Sequence, residues 1–331
     1  MKALILRQYG EHSPFEEIDL PRPAVLDGHL LIRVAATSVN PVDYKIRLHG
    51  PNFAPELPAV LHGDVAGYVE EVGANVSGFQ RGDEVFACAG GAKGMGGALA
   101  EFMLADAALV ARKPSSLNVL AAAALPLASI TAWESLIDRA QLAAGQTVLV
   151  HGGTGGVGHI GVQLAKWAGC QVFATVSSAR KAQLVLELGA DRAINYRSQS
   201  VADYVRDCTG GTGFDVVFDT VGGEHLAKSF EAAAIGGVVS CISTRTAVDL
   251  SAMHAKNLSL HVIFMLLPML RNMGREHHGE ILTQMATLVD SGQLRPLVDE
   301  RTFSFADVLD AHEYLASGQA IGKVVLRQDC W

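Results

Sequence analysis

The residues of this chain whose types and spacing most directly imply chemistry are Gly153-Thr154-Gly155-Gly156-Val157-Gly158. They satisfy G-x-G-x-x-G in the informative context, with an apolar strand from Thr147 to Val150 just before and a helical pattern just after. Glycine lets such a loop bring its backbone against a pyrophosphate without a Cβ in the way. The helix start adds free N–H groups and the positive end of its dipole. The chemistry implied is dinucleotide binding. At the end of the following strand, about 20 residues on, a cofactor with a free ribose 2′-hydroxyl is normally held by Asp or Glu. Here the strand CQVFATVSS runs out at Ser177 and Ser178, and Arg180 and Lys181 come next. Hydroxyls and cations suit a 2′-phosphate, and cations in the first turn of a helix are slightly unfavourable unless an anion compensates. The expected cofactor is NADPH.

A loop of this kind is positioned by a parallel sheet covered on both faces. The middle of the chain supplies one. QTVLVHGG, CQVFATVSS, DRAINYR, FDVVFDTVGG and VVSCIST read as strands, separated by the helical GVGHIGVQLAKWAG, ARKAQLVLELGA, SQSVADYVRDCTGG and EHLAKSFEAAAIGG. Residues 123–265 are therefore expected to form a doubly wound α/β domain. Before about residue 110, short runs such as LLIRVAATSVN, DVAGYVEEVG and DEVFACAGG alternate with turn residues, which indicates a mostly-β body. Pro-containing loops are expected from Glu17 to Asp27 and from Gly50 to Pro58. The last stretch, FSFADVLDAHEYLASGQAIGKVVLRQ, reads as a helix and then a strand with no local partner, which can return to the β body.

Composition narrows the function classes. The 331 residues are 49% hydrophobic and 18% charged, which excludes a disordered tail or fibrous repeat and provides for about two domains. The formal net charge of -8 argues against nucleic-acid binding and against attraction to an anionic membrane. The opening MKALILRQYG is too short in apolar residues for a signal peptide, and Pro126 and Pro268 break the most apolar stretches, so a soluble cytoplasmic protein is expected. Cys88, Cys170, Cys208, Cys241 and Cys330 form an odd set without C-x-x-C spacing and read as reduced thiols, mostly buried. In EHHGE, from Glu276, the adjacent His277 and His278 point to different helix faces, so solvent exposure rather than a shared metal is expected.

Taken together, NPVDYKIR at Asn40, HGDVAGYVEEVG at His62, the glycine loop, INYR at Ile194 and GKVVL at Gly322 resemble the medium-chain dehydrogenase/reductase superfamily. Within it the chain is similar to the zinc-free quinone oxidoreductase branch that includes the zeta-crystallins. The resemblance implies a GroES-like catalytic domain of residues 1–122 and 266–331, with a Rossmann domain of residues 123–265 inserted. It places Gly153, Thr154, Gly155, Gly156 and Val157 at the pyrophosphate, and Ser177 and Lys181 at the 2′-phosphate. Tyr196 falls at the adenosine end, with a strand-end core aromatic as the alternative. Ile242, Ser243, Thr244 and Arg245, with Phe264, Met265 and Leu266, fall beside the ribose and nicotinamide, and Asn40 falls on the nicotinamide side.

Zinc-dependent relatives have a cysteine ligand near the position of Asn40 and a Gly-His-Glu segment where this chain has His62-Gly63-Asp64. No metal is therefore expected, and His62 and Asp64 are given structural roles ahead of ligation in another geometry. Without a Lewis acid the implied reaction is hydride transfer to an easier acceptor, a quinone or an α,β-unsaturated carbonyl. Tyr44 and Lys45 are the nearest candidate donors to the acceptor oxygen, although the family often has tyrosine where Lys45 stands. The loop Gly90 to Gly97, with Lys93 and Met95, either lines the substrate cleft or is a plain surface loop. The resemblance, in a family that commonly joins sheets at the last Rossmann strand, implies a homodimer, and the segment His261 to Leu267 is markedly apolar here. The alternatives are a zinc-dependent alcohol dehydrogenase and a weakly catalytic NADPH-binding protein with a structural or regulatory role.

Overall fold

The computed structural model describes residues 1–329; Cys330, expected to be a thiol, lies outside them. The chain divides into two compact units, Met1–Ile130 with the segment beginning at Leu266, and Thr131–Met265.

The first unit is built on a seven-stranded sheet ordered Phe303–Ser304, Val324–Arg327, His29–Val39, Asp64–Val72, Glu84–Cys88, Val110–Arg112, with Phe102–Asp106 also paired to His29–Val39. A smaller sheet is ordered Phe15–Asp19, Lys2–Leu6, Ala59–Val60. The late strand does return to this body. Val324–Arg327 runs antiparallel to His29–Val39, with Val324 opposite Val39 and Val325 opposite Ser38. The loop expected from Glu17 is strand as far as Asp19, because Phe15–Asp19 pairs residue by residue with Lys2–Leu6. Directly after the long strand, Asn40 begins the helix Pro41–His49. Proline at the first helical position needs no N–H there, and the Asp43 side chain accepts the Asn40 N–H, which fixes the helix start.

The helix Arg275–Asp290 corrects one expectation. His277 is exposed, but His278 is fully buried. It heads a stripe with Ile281, Leu282, Met285, Leu288 and Val289 at helical spacing, so the 100° step that separates two adjacent histidines carries the second one into the core.

The second unit is a six-stranded all-parallel sheet ordered Arg192–Asn195, Gln171–Val176, Thr147–His151, Phe214–Asp219, Ala233–Cys241, Ser259–Val262. Its central strands are buried nearly end to end, as expected of strands covered on both faces. One side of the core packs Phe173 edge-on to Phe214 at 5.2 Å, with Leu149, Tyr204 and Phe230 around them. Chain order runs outward from Thr147–His151 to one edge and then resumes at its other side with Phe214–Asp219. The reversal point, where such sheets bind ligands, thus falls at the carboxyl ends of these two strands. Among the described residues, no helix is long and apolar enough to cross a membrane.

Candidate active site

In the second unit, the strand Thr147–His151 delivers the glycine loop at the reversal point and the helix Gly158–Trp167 leaves it. A Cβ on Gly158 would overlap the Gly152 carbonyl, and one on Gly153 would stand 2.7 Å from the Ala174 Cβ. Strand, turn and helix therefore close on each other at Gly153 and Gly158, where only backbone fits. Thr154 is buried, while Gly155, Gly156 and Val157 are partly exposed. These residues fit the pyrophosphate of a dinucleotide.

The neighbouring strand end is fixed from below. The Asp219 carboxylate accepts the N–H groups of Val221 and Gly222 and the Ser229 hydroxyl, while Thr220 donates to the His151 carbonyl. Burial alone would raise the Asp219 pKa, but His225, His151 and these donors hold it well below the usual carboxylate range. The loop Ile242 to Arg245 lies next to this turn, since Gly223 donates to the Ser243 carbonyl and Ile242 to that of Asp219.

At the end of the second strand, Ser178 caps the helix Ala179–Glu187 by accepting the Lys181 N–H at 3.3 Å. Ser177 and Lys181 are partly exposed, and the chain carries no carboxylate between the strand end and Glu187. Tyr196 is 53% exposed, which removes the core-aromatic alternative. Phe264 is 43% exposed, whereas Met265 and Leu266 are buried and have only backbone to offer.

In the first unit, the sequence candidates divide sharply. Tyr44 is partly exposed and Lys45 exposed on the helix Pro41–His49, and burial raises the Tyr44 hydroxyl pKa. Asn40 is only 2% exposed, and both ends of its amide are engaged. Its Nδ2 donates to Asp64 Oδ2 at 2.7 Å, and its Oδ1 accepts from Lys323 Nζ. Asp64 is equally committed: Oδ1 accepts the Leu127 N–H, and Oδ2 takes Ser38, Asn40 and the Lys323 ammonium at 3.3 Å. Asp43 lies in the same pocket of charge. Burial pushes its carboxyl up to about 7, with Asp64 adding in that direction and the Asn40 N–H and Lys323 opposing.

His62, fully buried at φ 73°, is linked through Nε2 to His312 Nε2 at 2.8 Å, and the two rings stack at 5.1 Å. Burial, then His312 and Lys323, hold His62 well below its ordinary pKa, and burial takes His312 down to about 3. The pair is neutral. Sequence reasoning assigned no part to Lys323 or His312. Their only sequence signal is a buried-type setting, GKVVL and an amphipathic helix, for side chains that are usually exposed or half-exposed.

Of the glycine-rich loop, Lys93 is exposed and Met95 partly so. Residues Gly94 to Gly97 line a cavity of about 310 Å³ with Met1, Phe102 and Arg275, none of the donor residues above among its walls.

A family model described as alcohol dehydrogenase GroES-like domain matches residues 26–115, and one described as zinc-binding dehydrogenase matches residues 188–326. The 2-methylene-furan-3-one reductase of Solanum lycopersicum is 36% identical, covering 98% of this chain and 79% of its own. The quinone oxidoreductase of Homo sapiens is 29% identical over 98% of this chain and 97% of its own. A mycobacterial protein solved in complex with NADPH superposes with a TM-score of 0.87 at 31% identity, over 99% of this chain and 100% of its own.

Proposed function

The chain belongs to the medium-chain dehydrogenase/reductase superfamily, and on that premise we propose that it is an NADPH-dependent oxidoreductase of the quinone oxidoreductase branch, acting on α,β-unsaturated carbonyls and quinones. The observation that carries the cofactor choice is the second parallel strand ending in Ser177 and Ser178, with the Lys181 ammonium in the next turn and no carboxylate between. Identity to the furanone reductase exceeds that to the human quinone oxidoreductase, which favours an enone as the acceptor.

NADPH, when bound, supplies a hydride from its nicotinamide. The chain's own residues do the rest. The loop from Gly153 to Val157 would hold the pyrophosphate by backbone N–H groups, Ser177 and Lys181 would hold the 2′-phosphate, and Ile242 to Arg245 with the Phe264 segment would border the ribose and nicotinamide. Hydride addition to a conjugated carbon moves negative charge onto the carbonyl oxygen, where the Tyr44 hydroxyl or the Lys45 ammonium donates a hydrogen bond and then a proton. Asn40 acts from behind, as the fixed start of the helix that carries both. A zinc-dependent reading is disfavoured by engagement as well as by residue type: the side chains of Asn40, His62 and Asp64 already bond to Lys323, His312, Ser38 and the Leu127 N–H.

The test is to titrate NADPH and NADH into metal-analysed protein, then add an enone, a quinone and an alcohol while following the reduced-nicotinamide absorbance. Selective NADPH binding with oxidation by the enone or quinone is expected. Turnover only of an alcohol with added zinc, or tight binding with no turnover of any acceptor, would move the protein to one of the two alternatives.

A further inference from the structure

We propose that Lys323 is the positioning residue of the catalytic unit: its buried ammonium, delivered by the last strand, sets Asn40 and through it the helix that presents Tyr44 and Lys45. This rests on the reading that those two side chains serve the acceptor oxygen.

The placement follows from register. Val324 stands opposite Val39 in the antiparallel pair, so the residue before it comes level with the residue after Val39, which is Asn40. The backbone holds Lys323 there, with its N–H bonded to the Leu297 carbonyl and its own carbonyl accepting from Asp299. The side chain is 2% exposed and reaches two oxygens, Asn40 Oδ1 and Asp64 Oδ2.

An asparagine amide has one acceptor end and one donor end. With the ammonium on Oδ1 and the Asp64 carboxylate on Nδ2, a flipped amide would set donor against donor and acceptor against acceptor, so a single orientation is stable. Asn40 is also where strand becomes helix. Its N–H bonds to Asp43 Oδ2 at 2.7 Å and its carbonyl accepts the Asp43 N–H, so the amide that Lys323 orients is one residue from the helix and three from its cap partner. Tyr44 follows Asp43 directly. Asp64 adds a second anchor, since its other oxygen accepts the Leu127 N–H, a third segment of the unit. Lys323 thus ties together four separate stretches of chain at the base of the donor helix and, apart from Asn40, touches no position assigned to substrate or cofactor.

Charge balance is the competing explanation: a buried carboxylate requires a buried cation regardless of any catalytic role. The two are separable. Removing both charges, in Asp64→Asn/Lys323→Met, takes away the ion pair and leaves Asp43 as the acid of the pocket; the amide oxygen introduced at position 64 still offers Asn40 an acceptor, at the expense of the Leu127 N–H, but Oδ1 of Asn40 has lost its donor.

The experiment compares Lys323→Met, Lys323→Arg and the double variant with the native protein for NADPH dissociation constant, enone-dependent kcat, and hydrogen exchange of the amides of residues 40–49. Misplacement of donors costs about tenfold to a hundredfold in rate, so kcat is expected to fall by that factor in Lys323→Met and in the double variant. NADPH affinity should stay within about twofold, Lys323→Arg should recover most of the rate, and exchange in residues 40–49 should quicken while that of the parallel sheet does not. If Lys323→Met misfolds, the double variant carries the test. Native kcat in a folded double variant, or equal losses of kcat and NADPH affinity, would overturn the proposal. If the native protein turns over no acceptor, the functional reading fails by itself, and exchange in residues 40–49 still decides the positioning role: unchanged exchange in the folded variants rejects it.

Discussion

Two lysines show how differently the same side chain is used. Lys181 is partly exposed on the first turn of a helix, where its charge opposes the dipole and an anion would relieve it. Lys181→Ala is therefore expected to weaken NADPH by about 1.5 to 3 kcal/mol, the usual loss for a hydrogen bond to a charged group, while NADH binding is nearly unchanged. Isothermal titration of both nucleotides checks this, and equal losses for the two would remove the phosphate assignment. Lys323 is buried against Asn40 and Asp64, and its role was not legible. Lys181 could be read because its meaning is local, a strand end followed by a helix turn. The partners of Lys323 lie 283 and 259 positions away, and only the pairing of the last strand brings them within reach.

At the scale of elements, period and punctuation were informative wherever both faces of an element face protein. The parallel strands, buried almost throughout, were visible as apolar runs bounded by glycine. Short elements in the β body were harder. The two residues Ala59–Val60 pair with Lys2–Leu6 and carry no period of their own, and Pro41–His49 is a helix through its cap and first-turn proline rather than through an apolar stripe. One element leaves a prediction. Ser259–Val262 is an edge strand, paired among the described residues only with Ala233–Cys241, and Val262 is 57% exposed. An apolar unpaired edge is a template for a second strand, so a second copy of the chain is expected to pair there. Light scattering at micromolar concentration should give twice the monomer mass, and Val262→Lys should return it to one. A monomeric native protein would refute the edge pairing.

For the whole molecule, buried titratable groups set the response to acid. His62 is held well below its ordinary pKa and His151 and His312 at about 3, all led by burial, while burial raises Asp43 to about 7. Below pH 6.5 the unfolded chain protonates these three histidines and the folded one does not. Each of the three then withdraws up to about 1.4 kcal/mol of stability per pH unit as pH falls toward its folded value. Asp43 has the opposite sign, since the folded state takes up its proton between about 7 and the ordinary carboxylate value, so it offsets one histidine and not three. Stability is expected to be greatest near neutral pH and to fall steadily from pH 6.5 to 4, read as the urea midpoint against pH. A flat profile over that window would mean that the histidines are not buried as neutral groups.

The sequence by itself determined the α/β class, the parallel sheet and the dinucleotide loop, because a strand–glycine–helix turn is made by contiguous residues whose period and lack of Cβ atoms are written in order. It also determined the absence of a carboxylate at the second strand end. Only the tertiary structure decided what Asn40, Asp64 and His62 do. Their partners Lys323 and His312 arrive from the far end of the chain, and whether a polar side chain meets substrate or is spent on a neighbour depends on which strands pair and in which register. His278 makes the same point within one helix: adjacent histidines share a composition, and only packing against the core separates the exposed one from the buried one.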